Sequence, residues 1–118
     1  MEMKRLKTFV KKITWLPGIE HGWGNGYVIL PEEHPYYGKK YDDINVDVHG
    51  GLTFSESAKD LDWPEIDAKD KKGWVIGFDT AHYGDSIYTW PIYKVEEELK
   101  RLAKQLTINK TEKIKQTK

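Results

Sequence analysis

Asp79, His82 and Asp85 follow one another at intervals of three, and an earlier stretch carries His49-Gly50-Gly51-Leu52-Thr53. Imidazole and carboxylate groups move protons near neutral pH, orient one another by hydrogen bonding and bind divalent ions. Three readings of this cluster stay open. It can be an aspartate–histidine network that only shapes its loops, a binding site for a small ligand, or a catalytic or metal-binding site. The spacing matches no defined metal motif, so no metal or other cofactor is expected. Neither Ser55 nor Ser86 lies in the context of a nucleophile elbow, which argues against a Ser-His-Asp triad. As a ligand site the set comprises His49, Gly50, Gly51, Thr53, Asp79, His82 and Asp85, with Tyr41 and Trp23 as rim aromatics able to stack.

These side chains need elements to hold them. Trp74, Ile76 and Phe78 alternate with Val75 and Gly77, predicting a strand that delivers Asp79 at its end. Ile44, Val46 and Val48 alternate with Asn45, Asp47 and His49, predicting a neighbouring strand with His49 on its open face. If both strands cover the same core, Asp79 emerges beside His49. Gly50-Gly51 interrupts the second pattern, as at a bulge or a close approach. Tyr27 to Leu30 predicts another strand, stopped by Pro31, and Phe9, Ile13 and Trp15 fit one more, although Phe9, Ile13 and Leu16 also fit helical spacing. His21 to Gly26 alternates glycine with larger residues and reads as a loop; it lacks the lysine and helix start of a phosphate-binding loop. Residues 32–43 read as an ordered surface loop with His34 in a turn, and residues 56–72 as an exposed, charged loop.

Past Pro91, Ile92, Val95, Leu99, Leu102 and Leu106 recur at intervals of three and four, the stripe of an amphipathic helix. The fold class expected is α+β: an antiparallel sheet of about four strands, the C-terminal helix packed on one face and the other face partly open or used for oligomerisation. Residues 1–108 form a single domain in this reading, and 109–118 a disordered basic tail.

A chain of 118 residues suits one core, and 13% aromatic content supplies it despite 32% charged residues. The absence of cysteine excludes disulfides, zinc–thiolate sites and thiol nucleophiles. No membrane span or signal peptide is expected. The net charge of zero is unevenly spread: residues 1–12 carry +4, residues 107–118 carry +3, and the middle therefore −7. Such a body disfavours stable binding of a nucleic-acid polymer.

The motifs Gly26-Tyr27-Val28, His34-Pro35-Tyr36-Tyr37-Gly38-Lys39, Tyr41-Asp42-Asp43-Ile44, Val48 to Ser55 and Gly77 to Asp85 occur in this order, ahead of the closing helix. In that order the chain resembles a small uncharacterised protein family of tailed bacteriophages and prophages, from about residue 25 to 107. It departs at Thr80, where cysteine stands in that family. The resemblance implies a phage accessory protein acting in the host cytoplasm against host defence. Joined to the polar site, it leads to an expectation of a homo-oligomer that binds and sequesters a small nucleotide-like signal. Gly50, Gly51 and Thr53 would hold phosphate or ribose, and Asp79 and Asp85 would accept hydrogen bonds. Two alternatives remain: a hydrolase cleaving a phosphodiester at the same residues, and an interaction module that inhibits a host enzyme.

Overall fold

A computed structural model describes residues 5–107. It contains strands β1 (Lys7–Lys12), β2 (Gly24–Leu30), β3 (Phe54–Ser57) and β4 (Trp74–Phe78), and one helix, α1 (Ile92–Leu106). The strands form one antiparallel sheet in the order β1-β2-β4-β3, with α1 against it, so the fold is α+β as expected. The expected tail, 109–118, lies outside the described residues. No helix among the described residues is long and apolar enough to cross a membrane.

The helix follows its sequence pattern closely. Val95, Leu99, Leu102 and Leu106 are buried against Val28, Leu30, Ile76 and Phe78 of the two central strands. Removing each such side chain from water contributes about 2 kcal/mol. The strand pattern of Trp74, Ile76 and Phe78 also holds, because all three pack in this core.

Four expectations are corrected. Residues 44–49 do not join the sheet. Ile44 and Val48 do point into the helix-side core, as their alternation required, but the segment runs along α1 as a strap. Helix side chains satisfy its backbone in place of a strand: the Asp47 N–H donates to Gln105 Oε1 (2.8 Å) and Gln105 Nε2 donates to the Asp47 carbonyl (2.7 Å). The His49 N–H donates to Glu98 Oε2 (2.7 Å). A glutamine amide, holding both a donor and an acceptor, reproduces one rung of a ladder.

The second correction concerns the glycine-rich segment, since Gly24, Asn25 and Gly26 belong to β2. Here the glycines serve close approach: a Cβ on Gly26 would overlap the Phe78 ring across the sheet. The third concerns the sheet face away from α1, which is not open. Leu61, Trp63 and Ile66, from the segment expected to be an exposed loop, cover it together with Ala58 over Phe9, Tyr27, Ile29, Phe54 and Val75. Trp63 stands edge-on to Tyr27 (4.9 Å between ring centres) and stacks on Phe54 (5.4 Å), while the ammonium of Lys11 lies 4.9 Å above it. Asp67 and Asp70 clamp Lys7 at 2.9 and 2.7 Å and hold the cover down at its far end.

His34 does sit in a turn, its N–H donating to the Pro31 carbonyl (3.0 Å) and its carbonyl accepting from the Tyr37 N–H (2.9 Å), but it is buried and not on the surface. Its Nδ1 accepts from the Tyr36 N–H (3.0 Å), so Nε2 carries the proton and donates to the Leu106 carbonyl at 2.7 Å. One of the carbonyls orphaned at the end of α1 is thereby satisfied.

Candidate functional site

The strap and the loop after β4 bring their polar groups together near the carboxyl end of β4. Val48 to Gly51 form a turn closed by the Gly51 N–H donating to the Val48 carbonyl (2.8 Å), with Gly50 and Gly51 at φ +69° and +77°. Two successive residues at positive φ demand glycine. The turn reverses the chain, and the Thr53 N–H then rejoins β4 through the Gly77 carbonyl (2.9 Å). On the other side, Asp79 leaves β4 and residues 82–85 close a second turn, the Asp85 N–H donating to the His82 carbonyl (2.9 Å).

Two aspartate–histidine pairs result. Asp85 is buried, and both of its carboxylate oxygens lie 3.0 Å from His49 Nε2. Its Oδ2 also accepts from the His82 N–H (2.9 Å). Asp79 accepts from the Thr53 hydroxyl (2.8 Å) and the Ala81 N–H (3.0 Å), and its Oδ1 is 3.1 Å from His82 Nε2. That last contact is close but off the line of a hydrogen bond. The two imidazoles meet edge to face, 5.4 Å between centres, and His49 lies 4.2 Å from the Trp90 ring. Both histidines are partly exposed, and no group among the described residues engages the Nδ1 of either.

Close packing fixes the second ring. A Cβ on Gly50 would overlap the His82 imidazole, whereas space is open beside Gly51. The site therefore uses one glycine for contact and its neighbour for access.

His49, Gly50, Thr53, Asp79, His82 and Asp85 converge, with Gly51 at their margin. Neither Tyr41 nor Trp23 has a hydrogen bond or ring contact to these side chains among the described residues. The Tyr41 N–H donates to Ser55 Oγ on β3 (3.1 Å), and Trp23 packs in the helix-side core, its N–H donating to the Trp90 carbonyl (2.8 Å). Thr80 is fully buried and its hydroxyl donates to the Gly24 carbonyl (2.7 Å), so it ties the loop to β2.

Two residues that sequence reasoning passed over support the cluster. Trp90 backs His49, and Glu98 fixes the backbone of His49 from α1. Arg101, bonded to Glu98 at 2.9 and 3.0 Å, holds the Glu98 carboxyl below the usual glutamate range; burial opposes this, and the His49 N–H adds to it. The sequence signal for Glu98 was its place beside the apolar stripe, one turn from Arg101. No group of three or more His, Cys, Asp or Glu side chains among the described residues is arranged to hold a metal ion. Each carboxylate faces its own histidine, so the donors do not share a centre. No protein-family model, curated protein or solved structure matches the chain.

Proposed function

We propose that the paired histidines bind a small, phosphate-bearing, nucleotide-like molecule and withdraw it from solution. The observation that carries this reading is the pair of imidazoles 5.4 Å apart, each with a carboxylate at Nε2 and an unengaged Nδ1. In the imidazolium form, with Nε2 turned to its carboxylate, the left-over Nδ1–H donates to a phosphoryl oxygen, and the partner carboxylate keeps the ring from turning away. The open space beside Gly51 admits the ligand, and Tyr83, fully exposed on the same loop, is available to stack on a base. The motif resemblance supplies a setting: a phage protein in the host cytoplasm, acting as a homo-oligomer, that removes a nucleotide signal of host defence.

The edge-to-face imidazole pair favours one second reading. Two carboxylate-oriented histidines at this separation can act as base and acid on opposite sides of a phosphodiester, one taking a proton as the other delivers one. One experiment separates the two readings. The purified protein is incubated with a panel of linear and cyclic mono- and dinucleotides, denatured, and the released molecules are identified by mass spectrometry beside His49→Ala and Asp79→Ala variants. A nucleotide returned intact by the wild type alone supports sequestration, and cleaved products from the wild type alone support hydrolysis. Equal, negligible retention by all three proteins, with every nucleotide of the panel left uncleaved, would leave the cluster a structural network and refute both.

A further inference from the structure

The free edge of the sheet, away from the histidine cluster, has the properties of a peptide-docking site. Strand β1 lies at the edge of the sheet. Its register pairs Lys7 with Ile29 through to Lys12 with Gly24, and the Ile13 N–H continues it to the Trp23 carbonyl (3.0 Å). Bonded residues alternate in an antiparallel ladder, so Lys7, Phe9 and Lys11 face β2, while Thr8, Val10 and Lys12 turn their N–H and C=O groups outward. Among the described residues no strand takes up these groups.

Edge strands are commonly guarded by lysine. Here Lys7 and Lys11 are drawn to the far sheet face by Asp67, Asp70 and Glu65, which leaves the helix-side face of the edge to Thr8 and Val10, with Lys12 the one lysine at its end. On that face two clefts of about 300 and 410 Å³ adjoin between β1 and α1, sharing Thr8 and Lys100. The floor of the first is apolar, with Val10, Trp23 and Leu99, whereas the second is rimmed by Arg5, Lys100 and Lys104. These three cations make no ion pair within the described residues, and Glu96 is the one acid lining either cleft.

We propose that this edge and its clefts dock an extended, acidic segment of a partner protein. The segment adds a strand to β1, and the side chains it turns to the helix-side face are apolar over Val10 and Trp23 and carboxylates over Arg5, Lys100 and Lys104. Charge selects this occupant. A second copy of the chain would oppose the same cations to one another, and residues 108–118, with four lysines against one glutamate, share their sign. The row of outward backbone groups and the apolar floor favour a polypeptide over a nucleic acid.

The test uses a fluorescent peptide the length of β1 whose helix-side positions carry valine at one end and glutamate at the other, with threonine at the alternate positions, a counterpart with lysine in place of glutamate, and single-stranded oligothymidylate as competitor. Anisotropy reads binding, and amide hydrogen exchange reads Thr8, Val10 and Lys12. The acidic peptide alone is expected to bind, to slow exchange at those three amides and to weaken with salt. Thr8→Pro, which removes one outward N–H, weakens it roughly tenfold, on the scale of one backbone hydrogen bond. Lys100→Glu/Lys104→Glu, on the exposed face of α1, weakens the acidic peptide and admits the basic one, and tests the proposal even if the proline variant does not fold. Equal binding of both peptides, displacement by the oligonucleotide, or protection of the three amides in the free protein by its own termini or a second copy would overturn the proposal.

Discussion

Gly50→Ala tests whether the histidine cluster is built by contact between the strap turn and the loop after β4. Gly50 sits at φ +69°, where an L side chain costs about 1–2 kcal/mol. Its added methyl group would also occupy the space of the His82 imidazole, which must swing away from Asp79. Forcing the packed ring aside adds about 1 kcal/mol. Gly51→Ala is the internal control, because Gly51 has a similar φ of +77° but nothing within reach of a Cβ. Urea unfolding should therefore show a loss of about 2–3 kcal/mol for Gly50→Ala against about 1–2 kcal/mol for Gly51→Ala, with the slope against urea unchanged. The ring proton resonances of His82 should shift in the first variant and stay in place in the second. Equal destabilisation by the two substitutions, or an unmoved His82 ring in Gly50→Ala, would refute the contact and with it the positioning of the second imidazole.

Two further outcomes follow from the packing. Trp63→Ala should cost about 3 kcal/mol in urea unfolding, since Trp63 covers three aromatic rings, and a loss under about 1 kcal/mol would mean that the sheet face away from α1 is stable uncovered. Glu98→Gln should weaken the bond that holds the His49 N–H and cost about 1 kcal/mol near neutral pH. Folding lowers the Glu98 pKa, so its contribution is complete above the usual glutamate range and is lost as pH falls through the depressed value. The wild type should therefore lose its advantage over Glu98→Gln on acidification; an advantage that grows with acid would contradict the assignment.

The helix was legible because its apolar stripe and its partner, the sheet, were both visible as periodic patterns. Ile44, Val46 and Val48 show the limit of that signal. Alternation records which side chains face inward, and here it did so correctly, but it does not say what bonds to the backbone. Gln105 and Glu98 take that role, and nothing in a glutamine's local sequence marks it as a substitute for a strand. The cover over the second sheet face was hidden differently. Leu61, Trp63 and Ile66 are spaced among aspartates and lysines with no single period, because short 3₁₀ turns at Ala58–Asp60 and Ala68–Asp70 set their directions.

The site was legible as a set of residues but not as pairs. Sequence proximity and strand alternation joined His49 to Asp79, whereas the structure joins His49 to Asp85 and leaves Asp79 with His82 and Thr53. The exchange has a physical cause. Once residues 44–49 run along α1, His49 approaches the loop over Trp90, from the side where the turn through residues 82–85 has brought back Asp85. The Asp79–His82 pair is therefore local to one loop, while the His49–Asp85 pair depends on the strap that Glu98, Gln105 and the buried Ile44 and Val48 hold on the helix. A ligand that draws the two imidazoles together must then stabilise the docking of the strap on α1 as well as the loop after β4, so slowed amide exchange at Asp47 and His49 on ligand binding would distinguish a site spanning both pairs from one confined to the loop.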